Sequence, residues 1–470
     1  MIRVSRKTTM NKKHDTHGRG YSRRRFLARA GGFGAGAIAA PYLVSAAAVG
    51  AEGNVAPSGR IAVGMIGTGN QGSNDMGAFL GDNRTQVVAV CDVNREGPGY
   101  WAGSVRGREP ARRRVEKHYA DAKRSGKYKG CGAYVDFREL LGREDIDAVE
   151  IATPDHWHAA LVVAACEAGK DIYCQKPLAL TVADGRAMAN AVEQYGVVFQ
   201  TGSQQRSDRN FRRAAELVRN GRIGKLERVE CGLPGGRPDY GKNGNRKQPE
   251  EVPDGFDYNM WLGPAPYSYY CPARCGVNFR WVFDYSGGQL TDWGGHHPDC
   301  AQWGMGTERT GPVKIQAAKG TFPPDPVWDT ATEYYFEAVY RNGVTLAISN
   351  RLRGGVTWKG TEGEVWANRG RHDAKPKAIL DTKIGPNEIH LYESNHHFRN
   401  FIDCVISRKE PIAPAEVAHR SITICHLGNI AMQLGIDGFE WDPDKEQIIG
   451  NDEAARMLRR AYREPWRLPS

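Results

Sequence analysis

The chain has 470 residues and a formal net charge of +10, with 40% hydrophobic and 25% charged residues. This length exceeds what one hydrophobic core usually serves, so we expect two domains. Residues 1–51 hold ten Lys and Arg against one acid, which leaves a charge of about +1 for the rest of the chain. The main part of the chain therefore has no electrostatic basis for binding nucleic acid.

The N-terminus has the order of an export signal: a basic region, an apolar region from Ala30 to Gly50, and small residues at its end. The motif SRRRFL at residues 22–27 resembles the twin-arginine signal, which directs folded proteins across the bacterial membrane. A membrane anchor or a basic tail is the alternative, but glycines and Pro41 dilute the apolar run. We therefore expect residues 1–51 to be a signal peptide for the twin-arginine machinery, and the mature protein to be periplasmic.

A strand is expected over residues 60–66, and the next six residues, GTGNQG, form a G-x-G-x-x-G turn. Gly67 permits the tight turn, Gly69 lets the backbone approach a pyrophosphate, and Gly72 allows a helix to pack closely on the strand. A glycine-rich turn without a ligand is the alternative. The expected phosphate-binding residues are Gly67, Thr68, Gly69, Asn70, Gln71 and Gly72.

The next buried strand is expected from Thr85 to Val93, and near its end lies Asp92, twenty residues past Gly72. A carboxylate at this position accepts a hydrogen bond from the ribose 2′-hydroxyl and repels a 2′-phosphate, so NAD is the expected cofactor. Arg95 follows closely and leaves NADP open.

Helices and strands then alternate along the chain. We expect a helical stretch at 136–142, a strand at 146–154, a helix at 156–170 with Asp155 as its N-cap, and a strand at 171–177. This order predicts a parallel, doubly wound sheet.

Beyond about residue 200 the strands become longer, and ATEYYFEAVY and VTLAISN are joined at residues 341–343 in an antiparallel hairpin. Residues 232–255 are rich in Gly and Pro and predict a surface loop, either a binding loop or a disordered one. The expected fold class is α/β, with a Rossmann domain of doubly wound parallel sheet over 60–178. An α+β domain with a largely antiparallel open sheet follows over 179–450, and 451–470 form a C-terminal tail.

Two stretches of the chain resemble a known family. AGKDIYCQKPLALT, residues 168–181, resembles the A-G-K-x-x-x-x-E-K-P segment of the Gfo/Idh/MocA oxidoreductases. GGQLTDWGGHHPDCAQW, residues 287–303, resembles their G-G-x-x-x-D-x-G-x-H-x-x-D segment, and similar stretches cover nearly all of 60–470. The resemblance implies oxidation of a sugar, polyol or glycoside hydroxyl with NAD(P), and pairing of subunits through the open sheet face into dimers or tetramers. It also implies cofactor contacts by Thr153, Pro154, His158, Gln175 and Lys176.

The same resemblance implies that Lys176, Asp292 and His296 are the catalytic residues. Lys176 would stabilise the developing alkoxide or relay its proton. Asp292 and His296 are four residues apart and share one face if their segment is helical, so Asp292 would orient His296 as a general base or acid. The hydride would pass directly from the substrate carbon to the nicotinamide. The protein would position the two and take or return the hydroxyl proton.

The chain departs from the family at Gln175, where Glu is common. An amide still hydrogen-bonds to the nicotinamide ribose, but it brings no negative charge beside Lys176, which we expect to be held less firmly. This change bears on rate and cofactor geometry rather than on the fold.

Further polar and aromatic residues are expected to bind the substrate: Gln205, Arg206, Arg280, Trp281 and His297. Arg280 and Trp281 combine a cation with a ring suited to stacking on a sugar, and core packing is the alternative. His296 and His297 are adjacent, and adjacent histidines rarely point the same way, so no metal site is expected.

The chain has ten cysteines. Cys91, Cys166 and Cys174 lie in apolar runs, where reduced and buried thiols are expected. Cys271 and Cys275 are close enough in sequence to pair in an oxidising periplasm.

An exported enzyme meets no pool of free NAD, so it must hold its cofactor tightly and restore it within each cycle. Two schemes meet this condition. A sugar is oxidised while a second carbonyl compound is reduced, or a glycoside is oxidised transiently, cleaved by elimination and reduced again. A non-catalytic binding protein on the same fold is the third alternative, which Gln175 favours and the expected catalytic residues oppose.

Overall fold

The structure, a computed structural model, describes residues 59–122 and 126–468, and the expected signal peptide lies outside the described residues. The described residues belong to one compact unit and form two sheets with helices packed against them. Within these two ranges, no helix has the length and apolar character needed to cross a bilayer.

The first sheet has six strands, β1 to β6, at Ile61–Ile66, Thr85–Cys91, Gly132–Tyr134, Ala148–Ile151, Asp171–Cys174 and Phe199–Thr201. All are parallel and their order is β3-β2-β1-β4-β5-β6, so the expected doubly wound sheet is confirmed. Helices α1 to α6 are Asn70–Leu80, Arg108–Asp121, Phe137–Leu141, Asp155–Glu167, Val182–Tyr195 and Arg209–Arg219. β1, with the sequence IAVGMI, is buried nearly throughout because helices cover both faces of the sheet.

The second sheet has nine strands, β7 to β15, at Leu226–Gly232, Lys314–Thr321, Glu333–Val339, Thr345–Ser349, Gly355–Gly360, Gly363–Asn368, Arg371–Lys375, Phe439–Asp442 and Gln447–Ile449. Their order is β13-β12-β11-β7-β10-β9-β8-β14-β15. All neighbours are antiparallel except β7 and β10, as expected for a largely antiparallel sheet. The hairpin expected at residues 341–343 joins β9 to β10, with Gly343 at φ +84°.

Helices α7 to α12 are Tyr258–Leu262, Gly288–Gly294, His297–Met305, His397–Ser407, Ala415–Gln433 and Asp452–Arg456. Short 3-10 helices lie at Trp101–Gly103, Gln204–Ser207, Pro272–Arg274, Gly276–Trp281 and Lys377–Asp381. The long helix α11 is buried along most of its length, because it packs against α5 on one side and against β8 and β9 on another. Residues 233–257 contain neither helix nor strand, in agreement with the expected loop.

The parallel sheet extends past residue 178, where we expected its domain to end. β6 pairs with β5 and forms the edge of the sheet. The later helix α10 also packs on this sheet, and its Phe398 and Phe401 lie against Tyr173 of β5, with ring centroids 4.8 and 5.7 Å away. The first domain therefore includes a helix from the C-terminal third of the chain.

All ten cysteines lie within the described residues, and each is a free, buried thiol. Cys271 and Cys275 flank the short 3-10 helix at 272–274 and pack in an aromatic cluster with Tyr258 and Trp281. The disulfide that their spacing allowed is therefore not formed.

Candidate active site

A cleft opens where β1, β2, β4 and β5 end, the edge at which doubly wound sheets bind ligands. The second domain contributes Met260, Trp261, Gly276, Val277, Phe279 and Arg280 to its walls. Nine of the expected cofactor residues line the cleft: Gly67, Gly69, Asn70, Gln71, Asp92, Thr153, Pro154, Gln175 and Lys176. Thr68, Gly72 and His158 do not line it, and they support the residues that do.

The turn after β1 has no room for side chains at its glycines. A Cβ on Gly67, whose φ is +88°, would lie 2.6 Å from the Ala152 carbonyl oxygen. A Cβ on Gly72 would lie 2.0 Å from the Gly67 carbonyl oxygen. The N-cap of α1 is Gly69, which offers no side chain to the first amides of the helix, so these amides are available to a phosphate.

Asp92 lies just past the end of β2, in the position expected for ribose binding. Its Oδ2 accepts hydrogen bonds from the Thr68 amide at 2.8 Å and the Thr68 hydroxyl at 3.0 Å, and its Oδ1 accepts from the Asn94 amide at 2.9 Å. A carboxylate has about four acceptor positions, so one remains for a ribose hydroxyl. Arg95 is exposed, whereas Arg108, which sequence reasoning missed, donates to the Asp92 carbonyl at 3.1 Å.

The turn after β4 presents Thr153, whose buried hydroxyl has no hydrogen-bond partner among the described residues. His158 is buried behind this turn, and its ring nitrogens lie 3.0 Å from the Thr153 carbonyl and 2.9 Å from the Pro177 carbonyl. It therefore holds the turns after β4 and β5 together instead of touching the cofactor. The glycine cradle, the Asp92 acceptor and the unpartnered Thr153 hydroxyl fit a dinucleotide.

Lys176 lies at the cleft wall and is paired with Asp292. Its Nζ donates to Asp292 Oδ1 at 2.8 Å and to the Asp292 carbonyl at 3.2 Å. Arg280 Nε donates to the same carboxylate oxygen at 3.2 Å. Burial alone would raise the pKa of Asp292, but the charges of Lys176 and Arg280 hold it below its ordinary value. Asp292 thus supplies the negative charge that Gln175 does not.

His296 does not share a helix face with Asp292, contrary to our expectation. α8 ends at Gly294, and His296 is the N-cap of α9 with φ −120° and ψ −80°. Among the described residues, no hydrogen bond joins the Asp292 carboxylate to the His296 ring, and His296 Nδ1 is buried without a partner. Burial, then the charge of Lys176, keeps the pKa of His296 well below its ordinary value, so the ring is neutral at pH 7.

Gln175 has a partner that the sequence did not reveal. Its Nε2 donates to Asp75 Oδ2 at 2.6 Å, and Asp75 Oδ1 accepts from Gln71 Nε2 at 2.8 Å. Asp75 lies beside Glu150, whose buried oxygens lack a donor among the described residues unless Asp75 is protonated. Burial raises the pKa of Asp75 to about 6, and burial with the charge of Asp75 raises that of Glu150 well above its ordinary value. A Glu at position 175 would add a third carboxylate, which explains the amide.

Asp155 is a functional candidate that sequence reasoning took for a helix cap. The N-cap of α4 is Pro154, and Asp155 is the first residue of that helix. Its Oδ2 accepts from the Ser286 hydroxyl at 2.5 Å, and it lines the cleft with Lys176 and Arg280. Burial raises the pKa of Asp155 to about 7, against the hydrogen bond from Ser286 and the charge of Arg280. A carboxyl that titrates near neutral pH in a cleft is suited to acid–base chemistry, and its only sequence signal is an acid just past a parallel strand.

Of the expected substrate residues, Arg280 alone lines the cleft. Arg206 is buried, and its Nε and terminal nitrogen donate to Asp299 at 2.6 and 2.9 Å, so its charge serves a structural pair. Trp281 is fully buried and donates to the Pro238 carbonyl at 3.1 Å, so its ring belongs to the core. Neither side chain is available to a substrate.

Gln205 and His297 are also buried, and each has a nitrogen without a partner among the described residues, Nε2 in both cases. His297 Nδ1 lies 3.1 Å from the Gly232 carbonyl oxygen. Burial lowers the pKa of His297 to about 4, so the ring is neutral at pH 7. Buried polar atoms without partners mark places where a ligand or water completes a site.

Residues 94–107 form a strap over the phosphate turn, and the second domain holds it there. The Trp101 amide donates to Asn70 Oδ1 at 2.7 Å. The Trp101 ring stacks on Tyr240, with centroids 4.3 Å apart, and the Ala102 amide donates to the Tyr240 carbonyl at 2.8 Å. Both domains therefore enclose the nucleotide-binding turn.

A doubly wound domain with a dinucleotide turn, joined to a second domain that brings an aspartate to a cleft lysine, defines a two-domain NAD-binding protein. Residues 61–203 match the family model described as "Oxidoreductase family, NAD-binding Rossmann fold". Residues 230–468 match the model described as "Oxidoreductase family, C-terminal alpha/beta domain". The chain belongs to the Gfo/Idh/MocA oxidoreductase family, and its first domain is the NAD-binding Rossmann fold of that family.

Two curated relatives are inositol dehydrogenases. Myo-inositol 2-dehydrogenase of Thermotoga maritima is 40% identical over 93 residues, which are 20% of this chain and 28% of that protein. Inositol 2-dehydrogenase 1 of Saccharopolyspora erythraea is 31% identical over 173 residues, which are 36% of this chain and 45% of that protein. The matches thus span less than half the length of either relative.

Two solved structures have the same fold. Aldose-aldose oxidoreductase from Caulobacter crescentus, complexed with glycerol, has a TM-score of 0.55 at 18% identity and covers 81% of this chain and 99% of its own. The WlbA dehydrogenase from Bordetella pertussis, in complex with NADH and UDP-GlcNAcA, has a TM-score of 0.55 at 18% identity. The match covers 80% of this chain and 98% of that one.

Proposed function

We propose that the chain oxidises a hydroxyl of a sugar, polyol or glycoside and keeps its NAD bound while it does so. The observation that carries the proposal is the Lys176–Asp292 pair, with 2.8 Å between Nζ and Oδ1, at the wall of a cleft that fits NAD. Membership of an oxidoreductase family and relatives named as inositol dehydrogenases support the same reaction class.

Bound NAD supplies the hydride acceptor, and the residues of the chain position the substrate and manage its proton. Lys176, held by Asp292, offers a positive charge and a donor to the substrate oxygen and stabilises the alkoxide. His296 is neutral, and its buried Nδ1 has no partner among the described residues, so the ring can accept a hydrogen bond from the substrate hydroxyl, while its lowered pKa makes it a weak base. Thr153 and Asp92 would hold the nucleotide.

We also propose that the protein is exported through the twin-arginine pathway and is active in the periplasm. The motif at residues 22–27 supports the route, which carries proteins that have already folded. The strap at 94–107 supports retention of the nucleotide, because contacts with the second domain must break before the phosphate turn is free. An exported chain that keeps its NAD must return it to the starting redox state in each cycle.

Pairing of subunits through the open face of the second sheet is also part of the proposal. Along β9, Tyr334, Phe336 and Ala338 are buried, whereas Tyr335 and Glu337 point to the opposite face and stay partly exposed. A dimer or tetramer by light scattering supports this part of the proposal, and a monomer at micromolar concentration contradicts it.

Cleavage of a glycoside by transient oxidation and elimination is the second candidate. Asp155 favours it, because elimination needs a further group that takes a C–H proton and returns one to the leaving oxygen. A carboxyl with a pKa of about 7 in the cleft has this capacity. This scheme gives no net redox change, whereas the first needs a second carbonyl substrate.

A non-catalytic binding protein is the third candidate, and it rests on Gln175. Gln175 donates a hydrogen bond to Asp75 at 2.6 Å, so the amide is explained by the buried acid pair of Asp75 and Glu150. Gln175 is therefore no sign of lost catalysis, and the non-catalytic hypothesis is weakened.

The test begins with the protein purified without added nucleotide, denatured, and analysed for the nucleotide it releases. Near-stoichiometric NAD supports the proposal, and turnover is then sought as product formation from single glycosides and from sugar pairs, with Lys176→Ala as the inactive control. An empty protein that takes up NAD only weakly contradicts it. For the export route, Arg23→Lys with Arg24→Lys is expected to keep the protein in the cytoplasm, and unchanged export contradicts that part.

A further inference from the structure

Four consecutive hydrogen bonds join the strap at 94–107 to the lysine of the candidate site. The Val277 amide donates to the Gly99 carbonyl of the strap at 2.9 Å. Arg280 makes the next two bonds, because its Nη1 donates to the Val277 carbonyl at 3.0 Å and its Nε donates to Asp292 Oδ1 at 3.2 Å. The fourth bond is the 2.8 Å contact between the same Asp292 oxygen and the lysine Nζ. The strap and the lysine are therefore connected through one arginine.

The Gly99 carbonyl fits closely against the second domain. A Cβ on Gly276, whose φ is +59°, would lie 2.1 Å from the Gly99 oxygen, and a Cβ on Gly241 would lie 2.7 Å from it. Asn278 is fully buried, and its Oδ1 accepts from the Gly241 amide at 3.2 Å. The strap is thus in direct contact with the 3-10 helix at 276–281, which carries Arg280.

The next residues of the strap contact the nucleotide-binding turn. The Trp101 amide donates to Asn70 Oδ1 at 2.7 Å, and a Cβ on Gly69 would lie 3.0 Å from the Tyr100 ring. Gly69, Asn70 and Tyr100 line the same cleft as Lys176. The two ends of the hydrogen-bonded path therefore belong to one site.

The position of Arg280 is more than a matter of charge. Asp292 already has a cation in Lys176, so the carboxylate does not need a second one for neutralisation. The Arg280 side chain is only 19% exposed, and its guanidinium lies 5.0 Å from the Phe279 ring centroid. A guanidinium presents its donors in a rigid fork, which fixes Asp292 relative to the Val277 carbonyl, whereas a lysine has one nitrogen on a flexible stem.

We propose that Arg280 is a positioning residue that ties the Lys176–Asp292 pair to the strap, so that the seat of the strap on the second domain determines how firmly Lys176 is held. This inference rests on the proposed function, since it names the residue that places the lysine of that reaction. Arg280 acts through Asp292, and its own contacts with the strap pass through the backbone of Val277.

The test measures acetylation of Lys176 by acetic anhydride in the protein as purified, quantified by mass spectrometry. A lysine held in an ion pair and 13% exposed reacts more slowly than a free one, and Lys117, which is 75% exposed, is the internal reference. Gly276→Ala places a methyl group against the Gly99 oxygen and separates the strap from the 3-10 helix. We expect this substitution to raise the relative acetylation of Lys176 by about threefold or more.

Gly236→Ala is the matched control, because Gly236 has a similar φ of +74° but its added Cβ meets no atom of the described residues within 4 Å. It should leave the acetylation of Lys176 unchanged. In an Arg280→Lys background, Gly276→Ala should no longer raise the acetylation. In the background of Arg246→Lys, which changes an exposed arginine outside the path, it should still do so.

Three results would overturn the positioning role. They are an unchanged acetylation of Lys176 in Gly276→Ala, an equal rise in Gly236→Ala, and a rise that is the same with and without Arg280. Should Gly276→Ala fail to fold, Trp101→Ala replaces it, because it loosens the strap by removing the stack on Tyr240 at a ring that is 50% exposed. The same outcomes then apply.

The readout separates this inference from the proposed function, because acetylation needs no turnover. Coupling that depends on Arg280, without oxidation of any sugar, contradicts the proposed function and leaves the positioning role in place. Turnover that is lost in Lys176→Ala, with acetylation of Lys176 that ignores the strap, supports the proposed function and overturns the positioning role.

Discussion

Lys176 Nζ lies 2.8 Å from Asp292 Oδ1, with only 13% and 15% of the two side chains exposed. Arg280 Nε donates to the same oxygen at 3.2 Å, so two cations share one carboxylate. The pair is therefore asymmetric. Loss of Lys176 leaves a neutral couple of Asp292 and Arg280, whereas loss of the Asp292 charge leaves two facing cations without a counter-charge.

This asymmetry predicts unequal costs for two substitutions. We expect Asp292→Asn to lower the free energy of unfolding by about 3 kcal/mol, the lower range for removing one partner of a buried pair. Lys176→Met should cost about 1 kcal/mol, because Arg280 still neutralises the carboxylate. Urea denaturation at pH 7 measures both. Lys117→Met, at a surface pair with Asp121, is the control and should change stability by less than about 1 kcal/mol. A Lys176→Met variant as unstable as Asp292→Asn contradicts the shared-carboxylate interpretation.

The raised pKa of Asp155 predicts a pH-dependent stability. Its pKa rises from 3.8 unfolded to about 7 folded, so the folded state retains a proton that the unfolded state has lost in that window. Its contribution is therefore present at low pH and is lost as pH rises towards 7, by up to about 1.4 kcal/mol per pH unit.

We expect Asp155→Asn to flatten the decline of unfolding free energy between pH 4.5 and 7, measured by denaturation at each pH. Asp254→Asn, an exposed carboxylate in the 233–257 loop, serves as the control and should leave the slope unchanged. If the Asp155→Asn slope equals that of the natural protein, Asp155 does not retain the proton.

Gln175→Glu tests the buried acid pair. The new carboxylate would lie about where the amide now donates to Asp75 at 2.6 Å, so we expect a loss of several-fold to a thousandfold in the folding equilibrium at pH 8, about 1–4 kcal/mol. The loss should shrink at pH 5, where Asp75 is protonated. Asp75→Asn in the same chain should restore stability at pH 8. A penalty that is the same at both pH values, or that the second substitution leaves in place, contradicts the arrangement.

Trp101→Ala tests the strap. The substitution removes the stack on Tyr240, and an aromatic pair contributes about 0.5–1.5 kcal/mol, so we expect nucleotide to leave up to about tenfold faster. Release is followed by fluorescence of NADH-loaded protein diluted into buffer. Tyr267→Ala, at a ring that is 78% exposed and outside the strap, is the matched control. Equal release rates from the two variants contradict a role for the strap in retention.

The first domain could be predicted closely because its signals are local. The apolar run of β1, the glycines after it and Asp92 at the end of the next strand lie within 32 residues. Each has a direct steric or hydrogen-bonding meaning, such as the 2.0 Å approach that forces Gly72 to lack a Cβ. The boundary at 178 missed β6 and α10, because no local pattern shows that a helix from residues 397–407 packs on this sheet.

The candidate site was harder to predict, because its partners are distant in sequence. Arg206 was predicted to bind the substrate, but its guanidinium pairs with Asp299, 93 residues later. Asp155 is buried against the second domain, and the hydroxyl that donates to it belongs to Ser286, 131 residues later. The spacing of Asp292 and His296 assumed a continuous helix, and α8 ends between them at Gly294.

The ten free, buried thiols allow this chain to fold fully before it meets an oxidising environment. With every cysteine described and none bridged, folding needs no oxidant and no disulfide isomerase. Synthesis, folding and uptake of the nucleotide can therefore all finish in a reducing compartment. Because each thiol is buried, a later move to oxidising surroundings leaves the sulfur atoms out of reach of oxidants. Refolding yields should therefore be the same with dithiothreitol as without it.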